Sequence, residues 1–255
     1  MRPPRTERPP PDTPRWKLDL AEQQLAPLLL KAERFDPDLK KFPRRVEEIL
    51  GAALDVPVAF ETIRELSPSK VAEHLAKKYG IEPDASLAKD NEPLWGFTFA
   101  TEKRVVVFTE AALEPEWDLF TKAHELGHVV AEYLPELAKS KNGDLFAKTT
   151  SFTPIYRRDP PGHFAAAAGA ELKADLREQR LAADELASLR KREAIANSIA
   201  AELLAPASEV RRLAREDRQA LVARMRATFG LSRRAAEVRL DEVLGHAGAA
   251  PLLVK

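Results

Sequence analysis

Thr121-Lys122-Ala123-His124-Glu125-Leu126-Gly127-His128 is the stretch on which the reading of this chain turns. It holds His-Glu-x-x-His inside a segment with helical spacing. Residues four apart on a helix stand above one another on a single face, so His124 and His128 can present two imidazoles to one metal ion. Glu125, the next residue round the turn, is placed to act as general base on a water at that ion. With only five histidines in 255 residues, a shuffled chain would contain such a match about once in a hundred trials.

Upstream, Leu94-Trp95-Gly96-Phe97-Thr98-Phe99-Ala100 and Arg104-Val105-Val106-Val107-Phe108 are rich in β-branched and aromatic residues. Joined by Thr101-Glu102-Lys103, they predict a β-hairpin. The motif helix is expected from Glu116 to Leu134, ending near Pro135. Ser67-Pro68-Ser69 reads as a capped helix start, with Val71, His74, Leu75 and Tyr79 at helical spacing and Gly80 as terminator. Earlier still, Leu18, Leu20, Leu25, Leu28 and Leu29 predict a helix over 16–35, broken or redirected near Pro27. Val46, Ile49, Leu50 and Leu54 predict another over 42–54.

Downstream, residues 135–162 carry Ser, Lys, Asn, Gly and four prolines, which predicts a long loop and a candidate lid. Residues 164–205 are helical in pattern but long for one globular helix, so two are expected, with Asp184 as N-cap of the second. Two more helices, over about 208–228 and 232–244, meet at Phe229-Gly230-Leu231-Ser232. The expected organisation is a disordered tail at 1–14 with six prolines, a helical extension at 15–60, a core at 61–206 and a helical segment at 207–255.

Composition narrows the chemistry. Lys plus Arg and Asp plus Glu stand at 40 each, which gives no general electrostatic case for nucleic-acid or membrane binding. Cysteine is absent, which excludes disulfides, thiolate ligands and cysteine nucleophiles in this chain. No run approaches the ~18 apolar residues of a membrane helix, and the first residues lack the apolar stretch of roughly 7–15 residues that a secretory signal needs. The expectation is a soluble, cytoplasmic protein.

A catalytic zinc site has three protein ligands, so two histidines need a partner. Glu193 is the candidate, in Arg192-Glu193-Ala194-Ile195-Ala196-Asn197-Ser198-Ile199-Ala200-Ala201-Glu202-Leu203-Leu204. Ala196, Ile199, Ala200 and Leu203 form a face that must bury, and Glu193 and Asn197 lie four apart near its edge. An Asn amide one turn after a ligand can orient a metal-binding group through a hydrogen bond. Against this, Glu193 sits in a charged run of the kind that marks a solvated face. Glu132, four after His128, is the fallback ligand.

These residues resemble the ImmA/IrrE family of metallopeptidases. The resemblance rests on Phe120-Thr121-Lys122-Ala123-His124-Glu125-Leu126-Gly127-His128, then on Glu193, Ala196, Asn197, Ala200, Leu203, Leu204 and Pro206, and on Phe229 to Leu240. It covers about residues 66–134 and 189–245. It implies an α+β, mostly helical, zincin-like core with a small β-sheet before the motif helix. It further implies zinc on His124, His128 and Glu193, Glu125 as base, and a protein substrate: a helix-turn-helix repressor whose cleavage releases stress-response or mobile-element genes. Manganese or another divalent ion suits the same donors. The chain departs from the family pattern in the 65 residues from His128 to Glu193, which imply an insertion, and in Ala205, where Met is usual. Residues 1–60 carry no part of the resemblance.

Three residues compete as stabiliser of the oxyanion in the tetrahedral intermediate: His163, Tyr133 and Tyr156. The Gly127 position predicts close approach of another backbone to the motif helix, since glycine inside a helix costs about 1 kcal/mol relative to alanine. The turn at Gly230 also has the outline of a DNA-binding helix pair. Residues 207–255 hold ten Lys/Arg against six Asp/Glu, too mild an excess for a nucleic-acid surface, so direct nucleic-acid binding is not expected. The competing functional class is a metal-stabilised module that binds a repressor or toxin without cutting it.

Overall fold

A computed structural model describes residues 15–83, 85, 87–141, 183–214 and 217–245. The expected tail at 1–14, the loop beyond residue 141, the first of the two helices expected over 164–205, and His163 and Tyr156 lie outside these residues.

Among the described residues the architecture is α+β and mostly helical, around a three-stranded sheet. Strand β1 (Val58–Ile63) runs parallel to β3 (Arg104–Glu110), and β2 (Gly96–Thr101) pairs antiparallel on the other side of β3. The predicted hairpin is present, with Thr101 opposite Arg104. Strand β1 escaped the sequence reading, because its Val-Ala-Phe-Glu-Thr-Ile pattern has no clean alternation and its residues are only partly buried. It crosses residue 60, so the sheet draws on both sides of the expected boundary there.

Alternation along the central strand divides the core in two. Val105 and Val107 belong to the larger buried cluster, while Val106 and Phe108 face the smaller one with Val71, Leu75, Phe97 and Phe99. That is the period-two geometry of a strand buried on both faces. Helix α3 (Pro68–Tyr79) covers the smaller side. Ser67 caps it by accepting from the Lys70 amide, and Gly80 ends it at φ +65°, as the sequence predicts.

On the larger side lie α1 (Arg15–Phe35), α2 (Val46–Ala53), α4 (Pro115–His128) and, after a π turn at Val129–Tyr133 and α5 (Leu134–Lys141), α6 (Ala183–Leu204). Helix α1 is unbroken, contrary to the expectation at Pro27. Pro27 is exposed, and Ala21, Leu25, Leu28 and Ala32 anchor the opposite face to the core on both sides of it. Packing of that stripe outweighs the hydrogen bond a proline removes.

The motif helix also continues past Pro135. The Leu134 amide reaches back to the Val129 carbonyl, opening the helical ladder just where proline, which has no N–H to give, follows. The loop expected from residue 135 therefore begins with helix. Asp184 lies within α6 rather than capping it.

The expected 208–228 helix is two: α7 (Ala207–Leu213) and α8 (Arg218–Phe229), the latter capped by Asp217, whose carboxylate accepts from the Gln219 and Ala220 amides. Helix α9 (Arg233–Leu244) starts at Ser232, which caps it through the Ala235 amide. Arg239 on α9 is buried against Glu202 and donates to the Ala205 carbonyl, which locks this C-terminal unit onto the end of α6. No helix among the described residues is long and apolar enough to cross a membrane.

Candidate metal centre

Helix α4 is wedged between the sheet and α6, so its second half buries nearly all round: Thr121 and every residue from Ala123 to His128 are buried. Two close approaches make room for it. A Cβ on Gly127 would stand 2.5 Å from the Ala196 carbonyl oxygen and 2.8 Å from the Ala196 Cα, so the backbones of α4 and α6 touch there. A Cβ on Gly96 would overlap Glu125 Oε1 and the Thr121 methyl, so β2 presses as closely on the other side. The first approach is the one Gly127 predicts. The second was missed, yet Gly96-Phe97-Thr98-Phe99-Ala100 signals it by placing small or polar residues on alternate positions opposite two phenylalanines.

The crossing at Ala196 brings Asn197 and Glu193 against the two histidines. His124 Nε2 and His128 Nε2 are 3.1 Å apart; Glu193 Oε2 lies 3.4 Å from the first and Glu193 Oε1 3.6 Å from the second. The donor atoms of this trio all fall within 4.8 Å of one another, and the group could hold a metal ion. Ligands at ~2.0–2.1 Å from a tetrahedral zinc are separated by about 3.3 Å, close to these spacings.

The imidazole tautomers suit the same purpose. Asn197 Oδ1 is 2.8 Å from His124 Nδ1, and Glu132 Oε1 is 2.6 Å from His128 Nδ1. Both oxygens accept, so each ring donates through Nδ1–H and turns an Nε2 lone pair toward the shared point. Asn197 is thus the hydrogen-bond partner that its spacing suggested. Glu132, the fallback ligand, stands on the Nδ1 side of His128 instead, with its other oxygen 3.2 Å from Arg192 Nη1.

Glu125 is fully buried. Its Oε2 accepts from the Thr98 hydroxyl at 2.6 Å, while Oε1 has no hydrogen-bond partner among the described residues. Burial pushes its carboxyl above the ordinary range, against the opposing pull of His124, His128 and Thr98. For His124, burial acts to lower the pKa, but Glu193 foremost, with Glu125 and Asn197, outweighs it and holds the ring above the usual value. Glu193 is likewise desolvated, yet the two histidines hold it below the usual carboxylate range. Both shifts have one source, the Glu193 carboxylate on α6 facing the His124 ring on α4.

Tyr133 is buried and its hydroxyl donates to the Thr101 carbonyl at 2.7 Å, a joint between the π turn and the end of β2. His74 lies on α3, ring-to-ring with Phe108 and 3.3 Å from Glu61, on the other side of the sheet.

No protein-family model matches this chain, and comparison with curated proteins finds no match.

Proposed function

We propose that this chain is a zinc-dependent endopeptidase. The observation that carries the reading is the convergence of His124, His128 and Glu193 beside a buried glutamate that keeps one oxygen uncommitted. Those three side chains would hold the ion, with two neutral imidazoles and a carboxylate suiting zinc and tolerating manganese. A divalent ion there would supply Lewis acidity, lowering the pKa of a water and polarising a carbonyl oxygen.

Glu125 then does the proton work. Its Oε1 accepts the proton of the attacking water and returns it to the leaving amine as the C–N bond breaks. Thr98 holds Oε2, so the carboxylate keeps one orientation, and the dry setting strengthens each of these interactions. Burial raises the resting carboxyl, and the positive charge of a bound divalent ion would favour its ionised, basic form.

The sheet supports the reading of an extended peptide as substrate. Among the described residues β2 pairs with β3 alone, and its Gly96 and Thr98 abut Glu125. An extended peptide added along that edge would run past the base. A helix-turn-helix repressor as the protein substrate, a zincin-like core and a role in derepression rest on the resemblance to the ImmA/IrrE family.

The test is labelling of new protein N-termini in cells that express the zinc-loaded wild type or Glu125→Gln. The wild type should create a small set of new termini, and Glu125→Gln should create none while binding zinc normally. Equal cleavage by the variant refutes the mechanism. A stoichiometric complex without any cleavage by the wild type would support the binding module instead.

A further inference from the structure

The two metal-facing histidines are supported in different ways. His124 is held by a neutral amide from α6, whereas His128 is held by a carboxylate that is itself held by a guanidinium. We propose that Glu132 and Arg192 are positioning residues for the metal centre, with Glu132 fixing the tautomer and orientation of His128 and Arg192 fixing Glu132. This inference rests on the metal-centre reading above.

Three observations support it. First, the geometry is directional. Glu132 Oε1 lies 2.6 Å from His128 Nδ1, and a carboxylate can only accept, so the ring must carry its proton on Nδ1 and offer Nε2. A carboxylate partner also makes the imidazole a stronger donor than an amide does. Second, Arg192 binds the other carboxylate oxygen at 3.2 Å and directly precedes Glu193. The ligand on α6 and the partner of the ligand on α4 are therefore tied by adjacent residues. Third, Arg192 offsets the charge of Glu132, so the largely buried carboxylate beside His128 has a cationic partner.

Local structure makes the arrangement achievable. Glu132 is four residues after His128 and inside the π turn, a helix irregularity that recurs at functional sites. Its side chain is 14% exposed, against 46% for Arg192. A pair that existed only as a surface salt bridge would contribute little to stability and nothing to metal binding.

The experiment uses the full chain. Zinc affinity is measured by competition with a chromophoric chelator, and the Co2+ absorption spectrum reports ligand geometry. Glu132→Leu, which removes the acceptor, should weaken zinc about 10- to 100-fold and shift the Co2+ bands. Glu132→Gln, which keeps an accepting oxygen, should lose less. Arg192→Gln should weaken zinc in the wild-type background and have no further effect on Glu132→Leu, because it acts through that carboxylate. Circular dichroism of the metal-free proteins should be unchanged.

Wild-type zinc affinity and Co2+ spectrum in Glu132→Leu would overturn the proposal while leaving the metal centre intact. If Glu132→Leu does not fold, the same result in both Glu132→Gln and Arg192→Gln overturns it. A fully additive Arg192 effect overturns the chain of action through Glu132. Absence of zinc binding by the wild type would bring down the metal-centre reading and this inference with it.

Discussion

Replacing Gly127 with Ala adds one methyl group at the point where α4 crosses α6. In an open helix this change stabilises by about 1 kcal/mol, through propensity alone. Here the new carbon would stand 2.5 Å from the Ala196 carbonyl oxygen and 2.8 Å from its Cα. Ordinary contacts between such atoms are at ~3.5 Å or more, so the helices must part by about 0.5–1 Å. Both opposing atoms are backbone and cannot rotate away. Overpacking of this kind costs about 1–3 kcal/mol, toward the upper end here, and leaves a net loss of about 1–2 kcal/mol after the propensity gain. The same displacement separates His124 and His128 from Glu193. Metal sites hold their ligand distances to about ±0.2 Å, so zinc affinity should fall by on the order of tenfold or more. Urea unfolding of the metal-free protein gives the first quantity and chelator competition the second. A variant that is more stable by about 1 kcal/mol with unchanged zinc affinity would refute the close-packed crossing.

Other consequences are as specific. Thr98→Val removes the hydroxyl that donates to Glu125 Oε2 inside the core; it should cost about 1.5–3 kcal/mol in urea unfolding and leave zinc affinity unaltered, whereas an unchanged midpoint would show that bond to be idle. The raised pKa of His124 fixes the sign of a pH effect in the metal-free protein. Because the folded state holds that proton more tightly than the unfolded state, the contribution to stability is full below the unfolded imidazole value and is lost as pH rises through the folded one. Zinc needs the neutral ring, so its affinity should fall on acidification from a higher pH than a free imidazole would require; NMR titration of the histidines with zinc competition checks both, and an ordinary or lowered His124 pKa contradicts the account.

Local signals told most where chemistry and helical spacing coincided. His124, Glu125 and His128 fall on one helix because of their spacing, and Ala196, Ile199, Ala200 and Leu203 bury as their periodicity requires. Gly127 pointed to the backbone contact that seats Asn197 on His124. Contacts across elements were harder to read. Thr98 reaches Glu125 because β2 pairs with β3 and then packs on α4, a relation between residues 27 positions apart that no local pattern records. Arg192 and Glu132 meet across 60 residues, and the charged run around Arg192 looked like solvated surface. The proline errors share one cause. Pro27 and Pro135 are local breakers, but burial of the α1 stripe and the opened π turn overrode them.

The central claim is a single metal held by His124, His128 and Glu193. Plasma mass spectrometry of the full chain, purified without added metal, tests it most directly when wild type, His124→Ala and Glu193→Ala are compared. The account predicts one zinc per wild-type chain and a sharp loss in both variants, with circular dichroism unchanged. A wild type that takes up no metal after reconstitution, or a Glu193→Ala variant that keeps full occupancy, would contradict it.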